Sequence, residues 1–205
     1  TVTLPDGAQL KFDSPLSAYK VAETIGAGLA KAALIAKVND TPVDLSHTIS
    51  ADCSFSVTTT RDAEAEELLR HSCAHIMAAA VRNLYPDAKF GIGPAIENGF
   101  YYDFDLEHKF TPEDLPIIEA EMQRIIESAQ PYTRIELTRE QAIERFAAAG
   151  QNLKVELLKE LAEPVVSIYT TGQFEDLCRG PHIPNTAKAP SFKLMSVAGA
   201  YWRGD

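Results

Sequence analysis

Four residues in this sequence have the types and spacing to do chemistry together: His71 and His75, four apart, and Cys178 and His182, also four apart. On a helix, His71 and His75 would lie about 40° apart on one face. Leu69, Cys73, Ile76, Met77, Ala80 and Leu84 centre almost opposite. This predicts imidazoles off the core stripe, a buried Cys73, and room for a ligand beside Ser72, Ala78 and Ala79. Several chemistries fit the set. Three imidazoles and a thiolate could hold a tetrahedral zinc ion, although the glutamate that usually stands between paired zinc histidines is missing. Imidazoles titrating near neutrality could instead orient and deprotonate a water to hydrolyse an activated ester. Cys178 could also be an acyl-transfer nucleophile, although no oxyanion feature accompanies it.

Other polar residues carry less specific signals. The stretch Gly91-Ile92-Gly93-Pro94, followed by Asn98-Gly99 and Tyr101-Tyr102-Asp103, could bring backbone close to a substrate or form a tight hairpin with aromatic packing. Lys154 reads as a solvated lysine in an aliphatic helix. Asp176 could bind an amino group or close a backbone turn.

The elements that must position these groups follow from periodicity and punctuation. Pro5-Asp6-Gly7 between two β-prone runs predicts a hairpin. A helix capped by Ser14 or Ser17 then carries Ala18, Val21, Ala22, Ile25 and Leu29. Strands are expected at 34–38 and 54–58, with a turn at Asn39-Asp40. The order is that of a small β-grasp module over residues 1–61. An acidic start from Asp62 opens a long helix ending before Pro86. Helices are also expected from Thr111-Pro112 or Pro116, from Thr138 with Gln141 as a capping box and Gly150 closing it, and from Asn152 as cap. With strands at 165–169 and 192–197, residues 62–205 read as α+β.

Composition limits the function classes. The chain has 205 residues, 45% hydrophobic and 23% charged, as in a folded protein. No apolar run approaches the roughly 18 residues of a membrane helix. Three unpatterned cysteines and no visible signal peptide favour a cytoplasmic protein away from membranes. The net charge of −10 argues against coating nucleic acid. Residues 177–204 nevertheless hold Arg179, Lys188, Lys193 and Arg203 and no acid, which leaves −14 on the remainder and suits the end of a polyanion.

The blocks Leu69-Arg70-His71-Ser72-Cys73-Ala74-His75, Asn98 to Asp103, Asp176-Leu177-Cys178-Arg179-Gly180-Pro181-His182 and Gly199 to Asp205 closely resemble the N-terminal half of bacterial threonyl-tRNA synthetases. The resemblance implies a ubiquitin-like (TGS-type) β-grasp domain followed by an α+β editing domain that hydrolyses seryl-tRNA made in error. It implies His71, His75, Lys154, Cys178 and His182 as catalytic residues, and Tyr102, Asp176, Gly93 and Tyr201 as substrate-binding ones. The partner would be the 3′ acceptor end of threonine tRNA carrying serine. No cofactor or metal is implied for editing. ATP, zinc and homodimerisation would belong to a synthetase core that the resemblance does not find in this chain, so the expectation is of a fragment. A metal-stabilised, non-catalytic RNA-binding module is the competing expectation.

Overall fold

The computed structural model describes residues 1–199. Compactness divides them into two units: residues 1–69 with 180–184, and residues 70–179 with the chain from 185 onward. The division falls inside a helix, whereas the expected boundary near residue 61 rested on a change of composition.

In the first unit, β1 (Val2–Thr3) and β2 (Gln9–Leu10) form the expected hairpin, with Gly7 in the left-handed region at φ 85°. After β3 (Leu16–Ser17), the Ser17 hydroxyl accepts from the Lys20 N–H and caps α1 (Ala18–Ile25). The helix breaks at Gly26, so Leu29 falls in a separate short helix, α2 (Ala27–Ala32). β4 (Ala33–Val38) turns through Asn39 and Asp40, at φ 49° and 62°, into β5 (Thr41–Val43). Such a turn matches strand twist and suits these two residue types. β6 (Thr48–Ile49) pairs with β3, and β7 (Cys53–Thr59) completes a five-stranded sheet of order β2-β1-β7-β4-β5. The β1–β7 pair is parallel and its neighbours are antiparallel. Val21 and Ala22 of α1 pack with Val2, Ala36 and Phe55 of the sheet, the arrangement expected of a β-grasp.

The long helix α3 (Ala65–Leu84) starts three residues later than its acidic lead predicts. Asp62 instead accepts from the Thr59 N–H at 2.6 Å, and Glu64 pairs with Lys37. Two short pairings follow, β9 (Ala95–Ile96) with β10 (Gly99–Phe100), and β8 (Lys89–Phe90) with β11 (Phe104–Asp105). A 3₁₀ turn boxed by Thr111 and Asp114 leads into α4 (Leu115–Glu127), with Pro116 in its first turn. β12 (Tyr132–Thr138) pairs antiparallel with β13 (Val165–Thr171), which pairs antiparallel with β14 (Phe174–Leu177). Neither β12 nor β14 was expected. Thr138 and Gln141 form the expected capping box at the start of α5 (Arg139–Ala148). α6 (Asn152–Glu160) has Gln151 at its N-cap, not Asn152, and no side chain caps it. The Gln151 amide is occupied by the Ala88 carbonyl and the Phe90 N–H. Ala142, Phe146, Leu158, Val166 and Ile168 form the core between α5, α6 and β13.

The expected strand at 192–197 is absent. Glu119 of α4 accepts from the Leu194 N–H at 2.8 Å and from the Lys193 ammonium at 2.9 Å, so a side chain, not a strand, holds this backbone.

Candidate functional site

The α3 segment from Ser72 to Val81 is buried on nearly every side, so the expected two-faced helix is not observed. Its run of alanines lets neighbouring elements approach closely from several directions. His71 is half-buried, whereas His75 is only 2% exposed. Cys73 is buried as expected, and burial pushes its thiol up to about 12.

Asp176 gathers the buried polar groups. In β14 burial alternates, so Asp176 points inward with Phe174. Its Oδ2 accepts from the Tyr102 hydroxyl at 2.7 Å and faces His75 Nε2 at 3.3 Å. Its Oδ1 faces the Lys154 ammonium as an ion pair without hydrogen-bond alignment. Lys154 donates to the Gly91 carbonyl at 2.6 Å and to the Tyr102 hydroxyl at 3.1 Å. At 2% exposure it is not the solvated lysine its composition predicted. Leu158, one turn on, is in the core, and that i,i+4 relation is the sequence signal that places Lys154 on the buried stripe.

Gly93 and Tyr102 belong to one packing unit. A Cβ on Gly93 would stand 2.0 Å from Tyr102 Cδ2, so only glycine lets the ring lie where it does. The ring stacks on Phe104 at 5.1 Å and meets Phe90 edge-on at 6.1 Å. Burial, and then the Asp176 charge, hold the phenol well above its ordinary pKa, so it remains a donor.

At the other end of the cluster, His71 Nε2 lies 3.1 Å from Cys178 Sγ, and the His71 and His75 rings meet edge-on at 5.0 Å. The Cys178 N–H donates to the Ser167 carbonyl, and the Ser167 hydroxyl donates back to the Cys178 carbonyl, which fixes the loop after β14 against β13. The donor atoms of His71, His75 and Cys178 lie within 4.8 Å of one another, close enough to share one divalent metal ion. His182 is buried in the 180–184 segment of the first unit, where its N–H donates to Asp44. Tyr201 lies outside the described residues. Of the basic residues at 177–204, Arg179 is paired with Glu163 and Lys193 with Glu119.

Burial, and then the neighbouring His71 and Lys154, drive the His75 pKa well below 6.5. His75 is therefore neutral at pH 7, and its Nε2–H can donate to Asp176. A buried neutral histidine binds a proton more readily unfolded than folded. Its contribution to stability is complete above about pH 6.5 and falls as the pH drops below that. Chemical denaturation between pH 7.5 and 5 is expected to show this loss, above the range where carboxylates titrate. The slope should flatten in His75→Gln; an unchanged slope would place the proton uptake elsewhere.

Comparison with known proteins agrees with the motif blocks. Residues 1–59 match the TGS domain, and residues 166–205 match the threonyl and alanyl tRNA synthetase second additional domain. The whole chain is 52% identical over 206 residues to a threonine–tRNA ligase of Herminiimonas arsenicoxydans. It is 51% identical over 205 residues to that of Methylococcus capsulatus. Both matches cover all of this chain and 32% of the relative, so the chain spans about a third of the length of these relatives. The match is to their N-terminal part. Among the described residues, no helix is long and apolar enough to cross a membrane.

Proposed function

We propose that this chain, similar from end to end to the N-terminal part of bacterial threonine–tRNA ligases, hydrolyses the ester of serine wrongly attached to threonine tRNA. The observation that carries this reading is the enclosed carboxylate of Asp176, which holds Lys154, Tyr102 and His75 beside the more accessible His71–Cys178 pair. Serine lacks one methyl group of threonine, and a methyl group is worth only about 1–3 kcal/mol of discrimination, roughly 10- to 200-fold. A second, hydrolytic site supplies the fidelity that one pocket cannot.

In this reading His71, the less buried of the paired imidazoles, takes the proton from the attacking water. Lys154 has a positioning role, because its ammonium is engaged by Gly91, Tyr102 and Asp176. The expected role of Asp176, binding the seryl ammonium, gives way to positioning, since both its oxygens already face protein donors. Tyr102 and Gly93 shape the same wall, and His182 is included on its motif alone. No metal is required for this hydrolysis. Threonine activation, with its ATP and zinc, and dimerisation would belong to the remaining length of the longer relatives.

Single-turnover deacylation of seryl- and threonyl-tRNA, both on threonine tRNA, tests the reading. Serine is expected to be released well above its spontaneous rate and threonine far more slowly, with or without chelator. Spontaneous rates for both would reject it. The three donors within 4.8 Å favour one second reading, a metal-stabilised RNA-binding module. A large drop in melting temperature on chelation, with no deacylation, would support that instead.

A further inference from the structure

Arg82 and Asn83 of α3, Arg124 of α4, Gln130, and Thr171 and Gln173 at the β13–β14 turn line one cleft. It opens three helical turns beyond His71, about 16 Å along the axis. We propose that this cleft binds a phosphate group of the RNA backbone, an assignment that rests on RNA being the substrate.

The lining offers donors, the Arg82 charge and the Arg124 guanidinium, the latter paired with Glu121, and no carboxylate is among the lining residues. Arg82 makes one hydrogen bond, to the Pro86 carbonyl, and pairs with no acid among the described residues, so most of its fork remains available. Arg124 is held by Glu121 through Nε and Nη2, which leaves Nη1. The same Glu121 accepts from the Asn83 amide at 2.7 Å, so one acid orients two lining side chains. Thr171 is 1% exposed, yet its hydroxyl has no hydrogen-bond partner among the described residues. A buried hydroxyl without a partner is costly, and a ligand oxygen would remove that cost.

The turn that presents Thr171 is held in place. Gly172 adopts φ +60°, and a Cβ there would stand 2.5 Å from Gln130 Oε1. An acceptor-only tetrahedral anion complements this donor set, and a guanidinium fork matches its geometry. The charge placement agrees. Arg179 and Lys193 of the 177–204 segment are neutralised by Glu163 and Glu119, whereas Arg82 is not neutralised.

The test measures binding of an uncharged acceptor-stem RNA with a single-stranded 3′ end between 50 and 200 mM salt. Because the RNA carries no amino acid, a failure of hydrolysis would leave this measurement intact. Arg82→Gln is expected to weaken binding several-fold and to reduce the salt slope by about 0.7–0.9, the loss of one phosphate contact. Arg145→Gln, the same charge change at the exposed pair with Glu175, serves as the control. Arg82→Lys should keep the slope but lose affinity. Thr171→Val should weaken binding without lowering the melting temperature, which a merely structural hydroxyl would not do. Equal slopes for Arg82→Gln and Arg145→Gln would overturn the proposal. A parallel titration with inorganic phosphate follows the Arg82 Nε resonance. If phosphate moves that resonance while the RNA slopes stay equal, the cleft takes a free anion and the RNA assignment fails.

Discussion

Single-turnover hydrolysis of seryl-tRNA by the His71→Ala protein is expected to be slower by roughly 10² to 10⁴ at saturating RNA, with binding little changed. Two observations single out His71 over His75. His71 is half-buried and can meet a water, whereas His75 is enclosed at 2% exposure with Nε2 directed at Asp176. A group that takes a proton only in the reaction affects the rate, not the affinity. Cys178→Ser, measured alongside, separates two routes. If water is the nucleophile, the serine protein keeps most of its rate, because the hydroxyl can still contact His71. If the thiol attacks the ester, hydrolysis stops, and the wild-type protein should accumulate a seryl-thioester detectable by mass spectrometry. A full rate for His71→Ala would remove this histidine from the proton transfer and turn attention to a water held by His75.

Asp176→Ala is expected to destabilise the protein by about 3–5 kcal/mol, because it strands the buried Lys154 ammonium without its counter-charge. The Lys154 and Asp176 side chains are only 3% and 4% exposed, so solvent cannot take over. The Tyr102 hydroxyl and His75 Nε2 lose their acceptor in the same step. Urea unfolding at pH 7.5 measures the loss. The double variant Asp176→Leu with Lys154→Met should recover much of it, since removing both charges leaves neither one buried alone. Hydrolysis should be lost in Asp176→Ala and also in the double variant despite its recovered stability, which distinguishes a positioning role from a purely structural one. If Asp176→Ala unfolds within about 1 kcal/mol of the parent, the buried pair is not what holds the site.

Much of the fold is legible because its determinants are local. The Thr138–Gln141 capping box, the Asn39-Asp40 turn and the Ser17 cap each depend on residues within a few positions, and each forms as its sequence predicts. The paired histidines of α3 were legible for the same reason, since helical spacing alone brings them together. β12 carries a strand signal that a helix-oriented reading passes over, with Ile135 and Leu137 alternating with Arg134, Glu136 and Thr138, although most of the strand stays exposed. The 192–197 segment has strand-like residues but pairs with no strand among the described residues, and the Leu194 N–H is bonded to the side chain of Glu119.

What the sequence determined by itself is the set of chemical groups and the helices and turns that carry them. Their burial and their polar partners were decided by tertiary structure. Lys154 reads as solvated on its own helix and becomes buried only because two other segments, the one carrying Gly91 and Tyr102 and the one carrying Asp176, converge on it. His75 has its pKa lowered, and Asp176 has Tyr102, His75 and Lys154 set against its carboxylate, through the same convergence. Local spacing sets which side chains share a face. Burial and charge depend on what packs against that face, and those contacts span 63 residues from Lys154 to Gly91 and 74 from Tyr102 to Asp176. No local pattern encodes such pairings, because the energy that enforces them arises only when the chain has closed around the site.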